Sequence, residues 1–589
     1  MRDFLKTTLA VITGLIISSI LLFFFTMVMF AVMIASASKP VRVSDNTLLK
    51  LKIGVPIPDR GNPTPTITFD QQNIRFAPVT GLNDIISNLK KAAEDDRIKG
   101  VIIEPGLFNT GWATAGEIRD EIIRFRESGK FVISYTDYLL NQESYYISTA
   151  ADYIYMNPQA TLEFTGLAAE VMFYKNALEK LGVNMQIIRH GTFKGAVEPF
   201  MYDRLSRENR EQIASYTGSI WNHVTAGIEE ARGIPVSELN HIADYLRSAN
   251  PQEALDLDMI DGLIYRDQLT DTLRKMMNIE EDERIRTISM TNYTKVPHPK
   301  AKREERDKIA VIYASGNIVM GSGSDANIGG DRYARIIRGA REDSMVKAIV
   351  LRINSPGGSA IASEIIWREL ELAGREKPVV VSMGNYAASG GYYIAAPAKK
   401  IVTSPSTITG SIGVFGMIPD ISELLNEKAG ITTEVVRTNR HSDSPSLTRR
   451  MTPFETAVMQ ENIDRVYGTF VDHVSEGRGM LPEEIDRIGQ GRVWSGAEAL
   501  DNGLADESGS LADAIDLAAN LADLEKWSIE ELPEIVDPYT RLIQELTGET
   551  AGRLIAREAG PLAPFLEELR ELSETRGIQA RLPYHVLIR

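Results

Sequence analysis

The sequence contains no cysteine. That absence removes disulfides, thiolate nucleophiles, cysteine-ligated zinc and iron–sulfur clusters in one step. Histidine is scarce. The seven in 589 residues, at positions 190, 223, 241, 298, 441, 473 and 585, include no HExxH and no His-x-His pair. No metal and no cofactor are expected. A basic surplus is also missing. Lys and Arg number 64 against 80 Asp and Glu, a formal net charge of −16. Nucleic acid is therefore not the expected partner, because phosphate binding needs a cationic surface. Gly321–Gly330 is glycine-rich but lacks the Gly-Lys-Ser/Thr ending of a phosphate loop, so it reads as a flexible loop and no ATP site is expected. What remains is ordinary: 43% hydrophobic and 24% charged residues, enough for a folded body of several domains.

From Leu9 to Ala35 the chain is apolar and uncharged. A bilayer span needs roughly 20 such residues. Ala35-Ser36-Ala37 resembles a small-residue cleavage site, but the run is well beyond the roughly 7–15 residues of a signal-peptide core. The expectation is an uncleaved transmembrane anchor over 9–35 behind a short stub, 1–8. Arg2 and Lys6 precede the span while Lys39, Arg42, Lys50 and Lys52 follow it, so charge bias does not settle the orientation.

The rest of the chain repeats itself. Glu94-Asp95 and Ile98–Ile102 match Glu342-Asp343 and Val346–Val350 at an offset of 248 positions. Tyr145-Tyr146-Ile147 matches Tyr392-Tyr393-Ile394, and Gly166 matches Gly413, at 247. Gly182-Val183 and Ile187-Ile188-Arg189 match Gly430-Ile431 and Val435-Val436-Arg437 at 248. Glu253–Asp256 recurs as Glu498–Asp501. Each copy alternates helix-period stretches (Leu82–Ala93, Asp331–Arg341) with short β-rich runs (Val101–Ile103, Phe131–Ser134, Ile349–Ile353, Val379–Ser382). That alternation predicts an α/β fold with mostly parallel sheets. The expected domains are an N-terminal repeat over 48–290, a charged, proline-containing linker over 293–307, a C-terminal repeat over 308–520 and a mostly helical tail over 521–589.

The copies differ where chemistry would sit. The second has Gly384–Gly391, Gly-Asn-Tyr-Ala-Ala-Ser-Gly-Gly, directly after the strand run and before a helical stretch, which exposes Ser389 on a tight turn. Gly390 lets the backbone approach a substrate carbonyl closely. The first copy has Gln142 at the position of Ser389. It carries Lys194 within Arg189–Phe200, where the second copy has His441 or Ser442. One copy kept a serine and the other a lysine. Asn354–Ser359, Asn-Ser-Pro-Gly-Gly-Ser, follows a strand and presents backbone N–H groups, as an oxyanion hole requires; losing one such donor costs about 3–4 kcal/mol of barrier. The first copy reads Gly106-Leu107-Phe108-Asn109 there.

The Asn354–Ser359 turn, Asn385–Gly391, Thr409-Gly410-Ser411-Ile412-Gly413 and Lys194–Phe200 together resemble signal peptide peptidase A, or protease IV, in its long two-repeat bacterial form. The likeness covers both repeats and the apolar N-terminal segment. It implies tandem Clp/crotonase-like repeats and a Ser/Lys dyad, with Ser389 as nucleophile and Lys194 as general base. Gly358 and Gly390 would supply the oxyanion-hole amides, and Ser411 would orient the lysine. The resemblance further implies peptide substrates, cleaved signal peptides among them, and a homo-oligomeric ring, a tetramer being the expected size. It implies a single-pass inner-membrane protein with its large body on the extracytoplasmic side.

A lysine works as a base only if neutral, against an ordinary pKa of about 10.4. Burial lowers it, and Phe193, Ala196, Val197 and Phe200 are suitable neighbours. Glu198 would oppose this by pairing with Lys194, so it is expected to point elsewhere. His223 and His473 occupy comparable places in both copies, which packing explains better than catalysis. Two other readings stand beside the protease: a crotonase-type enzyme of coenzyme A thioesters, since fold does not fix function, and a non-catalytic membrane scaffold.

Overall fold

The computed structural model describes residues 41–54, 56–70, 73–106, 110–280, 283–299, 305–535, 577–582 and 587–588, with scattered positions between 6 and 25. The expected anchor over 9–35 lies largely outside the described residues. Among the described residues no helix is long and apolar enough to cross a membrane.

Each repeat builds a parallel sheet from its buried apolar runs. In the first, the strand order is Gly262–Leu263, Tyr153–Met156, Phe131–Thr136, Ile98–Pro105, Thr47–Ile53 and Arg286–Ser289, and every pairing is parallel. In the second, Val379–Ala388, Val346–Ser355, Lys308–Ser315 and Ser528–Leu532 follow one another in parallel, with the short strands Ile408–Gly410 and Val493–Ser495 on the far side. Val346–Ser355 is buried almost throughout, as expected of a central strand covered on both faces. The helices repeat as well. Arg207–Arg232 starts at a Ser206 cap and ends at Gly233 with φ 72°; Pro453–Arg478 starts at a Thr452 cap and ends at Gly479 with φ 65°.

A third sheet joins the repeats. Asn184–His190 from the first copy runs antiparallel to Val414–Asp420 from the second, from Asn184 opposite Asp420 to His190 opposite Val414. The sheet continues through Gln579–Arg581, Gly357–Ser359, Asn317–Val319 and Asn327–Gly329. The end of the glycine-rich stretch expected as a loop is thus an edge strand of this sheet. A buried ionic lock adds to the joint: Arg352 reaches Asp59 at 2.8 Å and Glu117 at 2.6 Å, both from the first repeat.

The described parts of the tail include strands where helix was expected. Ser528–Leu532 is a strand on Lys308–Ser315, matching the place of Arg286–Ser289 in the first copy, so the second repeat runs past 520. Its Glu-Glu pair hides the strand pattern because both carboxylates have partners: Glu530 meets Lys308, and Glu531 accepts from Arg60 and Tyr313. Residues 579–581 and 587–588 are also strands; 536–576 lie outside the described residues.

Candidate active site

The Val379–Ala388 strand ends at Ser389, and the helix Gly390–Ala395 begins one residue later. To make that turn Ser389 takes φ 53°, a conformation that costs a non-glycine residue free energy and recurs where a nucleophile is held on a strand-to-helix corner. Its N–H donates to Gly410 O at 2.8 Å, which fixes the corner against the neighbouring strand.

Lys194 reaches this corner through the third sheet. His190 ends the strand paired with Val414, and four residues on Lys194 Nζ stands 2.8 Å from Ser389 Oγ. Nζ also contacts Ser411 O at 3.1 Å and Ser411 Oγ at 3.0 Å. Ser389 Oγ has a second, longer contact to Gly413 O at 3.4 Å. Lys194, Ser389 and Ser411 are each 0% exposed. Burial alone holds the lysine pKa well below its ordinary value. Glu198 contributes nothing to that shift because it turns away: its Oε2 accepts from Ser206 N and Asn209 Nδ2, each at 3.1 Å.

The lysine loop is clamped by groups that carry no local sequence signal. Gln212 Nε2 donates to Phe193 O at 3.0 Å, and Gln212 Oε1 accepts from Val493 N at 2.9 Å, tying the loop of one repeat to a strand of the other. Phe193 N donates to Gln490 O at 2.8 Å. Gly491, at φ 79°, lies so close that a Cβ there would be 2.6 Å from Lys194 N and 2.7 Å from its Cα. A Cβ on Gly413 would be 3.2 Å from Lys194 Cδ.

The Pro-Gly-Gly turn forms the short strand Gly357–Ser359. Gly358 has φ 156°, and a Cβ there would fall 2.0 Å from Ile318 O, so only glycine fits. Gly390 is its neighbour: a Cβ on Gly390 would be 3.1 Å from Gly358 N. The two glycines named for the oxyanion hole therefore adjoin beside Ser389. The histidines are engaged elsewhere. His190 contacts Asp464 and stacks on Tyr467, His473 contacts Glu364 and stacks on Trp367, and His441 contacts Glu455.

The model described as peptidase family S49 matches residues 124–280 and 371–525. The chain is 36% identical over 483 residues to a protein named Protease 4 from Salmonella typhi, covering 80% of this chain and 77% of that one. It is 30% identical over 521 residues to a chloroplastic serine protease SPPA of Arabidopsis thaliana, covering 87% of this chain and 76% of that one. Among solved structures, ClpP1 from Listeria monocytogenes aligns with 34% of this chain and 92% of its own, at 17% identity and a TM-score of 0.23.

Proposed function

The chain belongs to peptidase family S49 and is a serine protease; from that premise we propose that Ser389 and Lys194 form its catalytic dyad and that it degrades short apolar peptides, cleaved signal peptides among them, at a membrane surface. The observation that carries this reading is the 2.8 Å contact between the Lys194 amine and the Ser389 hydroxyl, in a fully buried setting with no carboxylate partner for the amine among the described residues.

A neutral amine has two N–H donors and one lone pair. Ser411 O and Ser411 Oγ accept the two hydrogens, which leaves the lone pair for the Ser389 hydroxyl proton. As Oγ bonds to the peptide carbonyl carbon, the proton passes to Nζ. The Gly358 and Gly390 amides hold the developing oxyanion. The ammonium then protonates the leaving amine. Water, deprotonated by the same lysine, hydrolyses the acyl ester and frees the serine. Ser411 acts here as an orienting group.

The membrane anchor, the extracytoplasmic body and the ring belong to the same proposal. The apolar run 9–35 supports the anchor. The counterpart in the second repeat of strand Asn184–His190 is the segment 432–438, which leaves Val435 and Val436 at 43% and 94% exposure. That apolar edge supports a head-to-tail assembly in which a neighbouring copy covers it, the contact type that closes rings.

The test is hydrolysis of a fluorogenic apolar peptide by the body lacking residues 1–38. Ser389→Ala and Lys194→Ala should each lose about 10³-fold or more in kcat while remaining folded. A Ser389→Ala protein that cleaves as fast as the parent would falsify the dyad.

A further inference from the structure

The loop that carries Lys194 is held by a carboxylate that the dyad itself does not touch. After Lys194 the chain makes a tight turn over Gly195–Val197 and a four-residue helix, Glu198–Met201, before the long helix Arg207–Arg232 begins at its Ser206 cap. This path folds Glu198 back onto the start of the long helix, where backbone N–H groups and the helix dipole favour a negative charge. Its Oε2 accepts from the cap residue, Ser206 N, and from Asn209 Nδ2, each at 3.1 Å. Its Oε1 is buried, accepts no hydrogen bond among the described residues and stands 3.8 Å from Arg189 Nη1. Asn209 and Gln212, one turn apart on the long helix, are buried beside it.

Two routes lead from this carboxylate to the lysine. Arg189, on the strand that runs into the loop, donates from Nη1 to Lys194 O at 3.2 Å. Asn209 Oδ1 accepts from Gln212 Nε2, which also donates to Phe193 O at 3.0 Å. The carbonyls on either side of the Lys194 Cα are thus held by donors that meet at Glu198. The loop is pressed against the second route: a Cβ on Gly195 would lie 2.4 Å from Asn209 Nδ2. The other copy has no such device. At the offset of 246 set by the two helix caps, Ser206 and Thr452, Asn209 corresponds to Glu455 and Gln212 to Val458. There Glu455 pairs with Arg449, and Val458 has no amide to offer.

Resting on the dyad reading above, we propose that Glu198 is a positioning residue for proteolysis: through Arg189 on one side, and Asn209 and Gln212 on the other, it fixes the backbone of Lys194 and so sets where Nζ stands against Ser389 Oγ. A lysine amine ends a flexible four-carbon stem, so it is only as well placed as the backbone beneath it. The same carboxylate would spoil the base if it reached Nζ, by holding the amine as an ammonium. Its fixed place at the helix start, two residues' width of polar contacts away, lets it order the loop without pairing with the amine.

The experiment assays the full-length chain with the fluorogenic peptide across a pH range, taking kcat and KM separately and checking folding by urea unfolding. Glu198→Gln keeps the size of the side chain but removes the charge that faces Arg189. Gln212→Ala removes the donor to Phe193 O. Each should lower kcat about 10²-fold, the cost of a misplacement of about 1 Å, with KM unchanged within about twofold. Each should also move the midpoint of the rise of kcat with pH upward, by about half a pH unit or more, because an amine that leaves its slot is less desolvated. The double variant should be about as slow as either single one, since both act through one loop. Glu455→Gln, at the counterpart of Asn209, should lower stability and leave kcat and the midpoint at their wild-type values. Folded single variants with the wild-type kcat and midpoint, beside inactive Ser389→Ala and Lys194→Ala, overturn the inference and leave the dyad standing. A double-variant loss equal to the product of the two single losses also overturns it, because the routes would then not meet at Glu198. If Glu198→Gln does not fold, Gln212→Ala decides, and an unmoved midpoint in it is the overturning result. If Lys194→Ala cleaves like the parent, both readings fall.

Discussion

The two repeats share a sheet order, a pair of long capped helices and a strand-to-helix corner, yet only one corner holds a serine. In the second repeat Ser389 faces Gly413 O and the lysine amine. In the first, Gln142 stands in its place and donates to Gly166 O at 3.0 Å, the counterpart of Gly413, while accepting from Thr165 N at 3.2 Å. An amide stands where the other copy has a hydroxyl, and it meets the equivalent carbonyl. The reverse holds for the lysine. The strand leading to Lys194 is paired along its whole length, whereas the counterpart segment 432–438 is exposed and His441 turns to Glu455. The joint between the copies brings Lys194 of the first against Ser389 of the second, the division of labour on which the proposed dyad rests.

The largest expected contrast concerns two residues at the same place in their strands. Arg352 corresponds to Glu104 at the 248 offset. Arg352 is wholly buried between Asp59 and Glu117, while Glu104 pairs with Lys50 and Arg266 nearer the surface. Removing the arginine leaves two buried carboxylates without their cation. Arg352→Leu should cost about 3–5 kcal/mol in urea unfolding, whereas Glu104→Leu should cost about 1 kcal/mol or less. Equal losses would mean that the lock between the repeats carries no special share of stability.

Next is the contact that seats the lysine. Gly491→Ala sets a Cβ within 2.7 Å of the Lys194 backbone and strains a residue at φ 79°. A displacement of about 1 Å in the base should lower kcat about 10²-fold. Gly430→Ala is also strained, at φ 68°, but meets nothing within 4 Å and should leave kcat unchanged within about twofold, with a cost in stability of about 1 kcal/mol. Matching kcat losses in the two variants would remove the lysine contact as the cause.

Much of this arrangement was legible in the sequence, for a specific reason. The constant offset turned a search for active residues into a comparison of aligned positions. Ser389 against Gln142, and Lys194 against His441 or Ser442, stood out without any structure. The strand runs were legible because central parallel strands are apolar on both faces, as in Val346–Ser355. What brings the serine and lysine together was not. Pairing of Asn184–His190 with Val414–Asp420 is a contact across more than two hundred residues and leaves no local pattern. Gln212 reads as one more polar residue on a helix. Ser528–Leu532, on a sheet edge, and the three-residue Gln579–Arg581, between two strands of the third sheet, are short polar pieces that do not show the alternation expected of strands.

A smaller and pH-dependent effect follows from the buried amine. Its native pKa lies below the unfolded value, so between the two the unfolded chain binds one more proton than the native one. Stability therefore rises with pH across that window, by about 1.4 kcal/mol per pH unit for a single proton, and falls as the pH drops toward the native pKa. Lys194→Met should flatten this slope and gain relative to wild type most at the acidic end of the window. Parallel urea titrations at several pH values read the difference. In wild type, kcat should rise with pH through the lowered pKa as the amine loses its proton. A slope unchanged in Lys194→Met would mean that the lysine is charged in the native state.

The smallest effect on peptide cleavage is expected at the first repeat's own corner. Gln142→Ala removes a donor from Gly166 O and an acceptor from Thr165 N, and should cost about 1–3 kcal/mol of stability. Peptide cleavage should stay within about twofold of wild type once the protein is folded, because no group at Ser389 depends on that amide. Gln142→Ser restores the residue type of the other copy but not its surroundings. The segment that would deliver a lysine is unpaired there, and the Gly106–Asn109 sequence lacks the Pro-Gly-Gly turn. The serine so introduced should therefore give no cleavage in a Ser389→Ala background. Measurable hydrolysis by that double variant would mean that the first repeat still holds a working base and oxyanion hole, and that the division between the two copies is less complete than their geometry indicates.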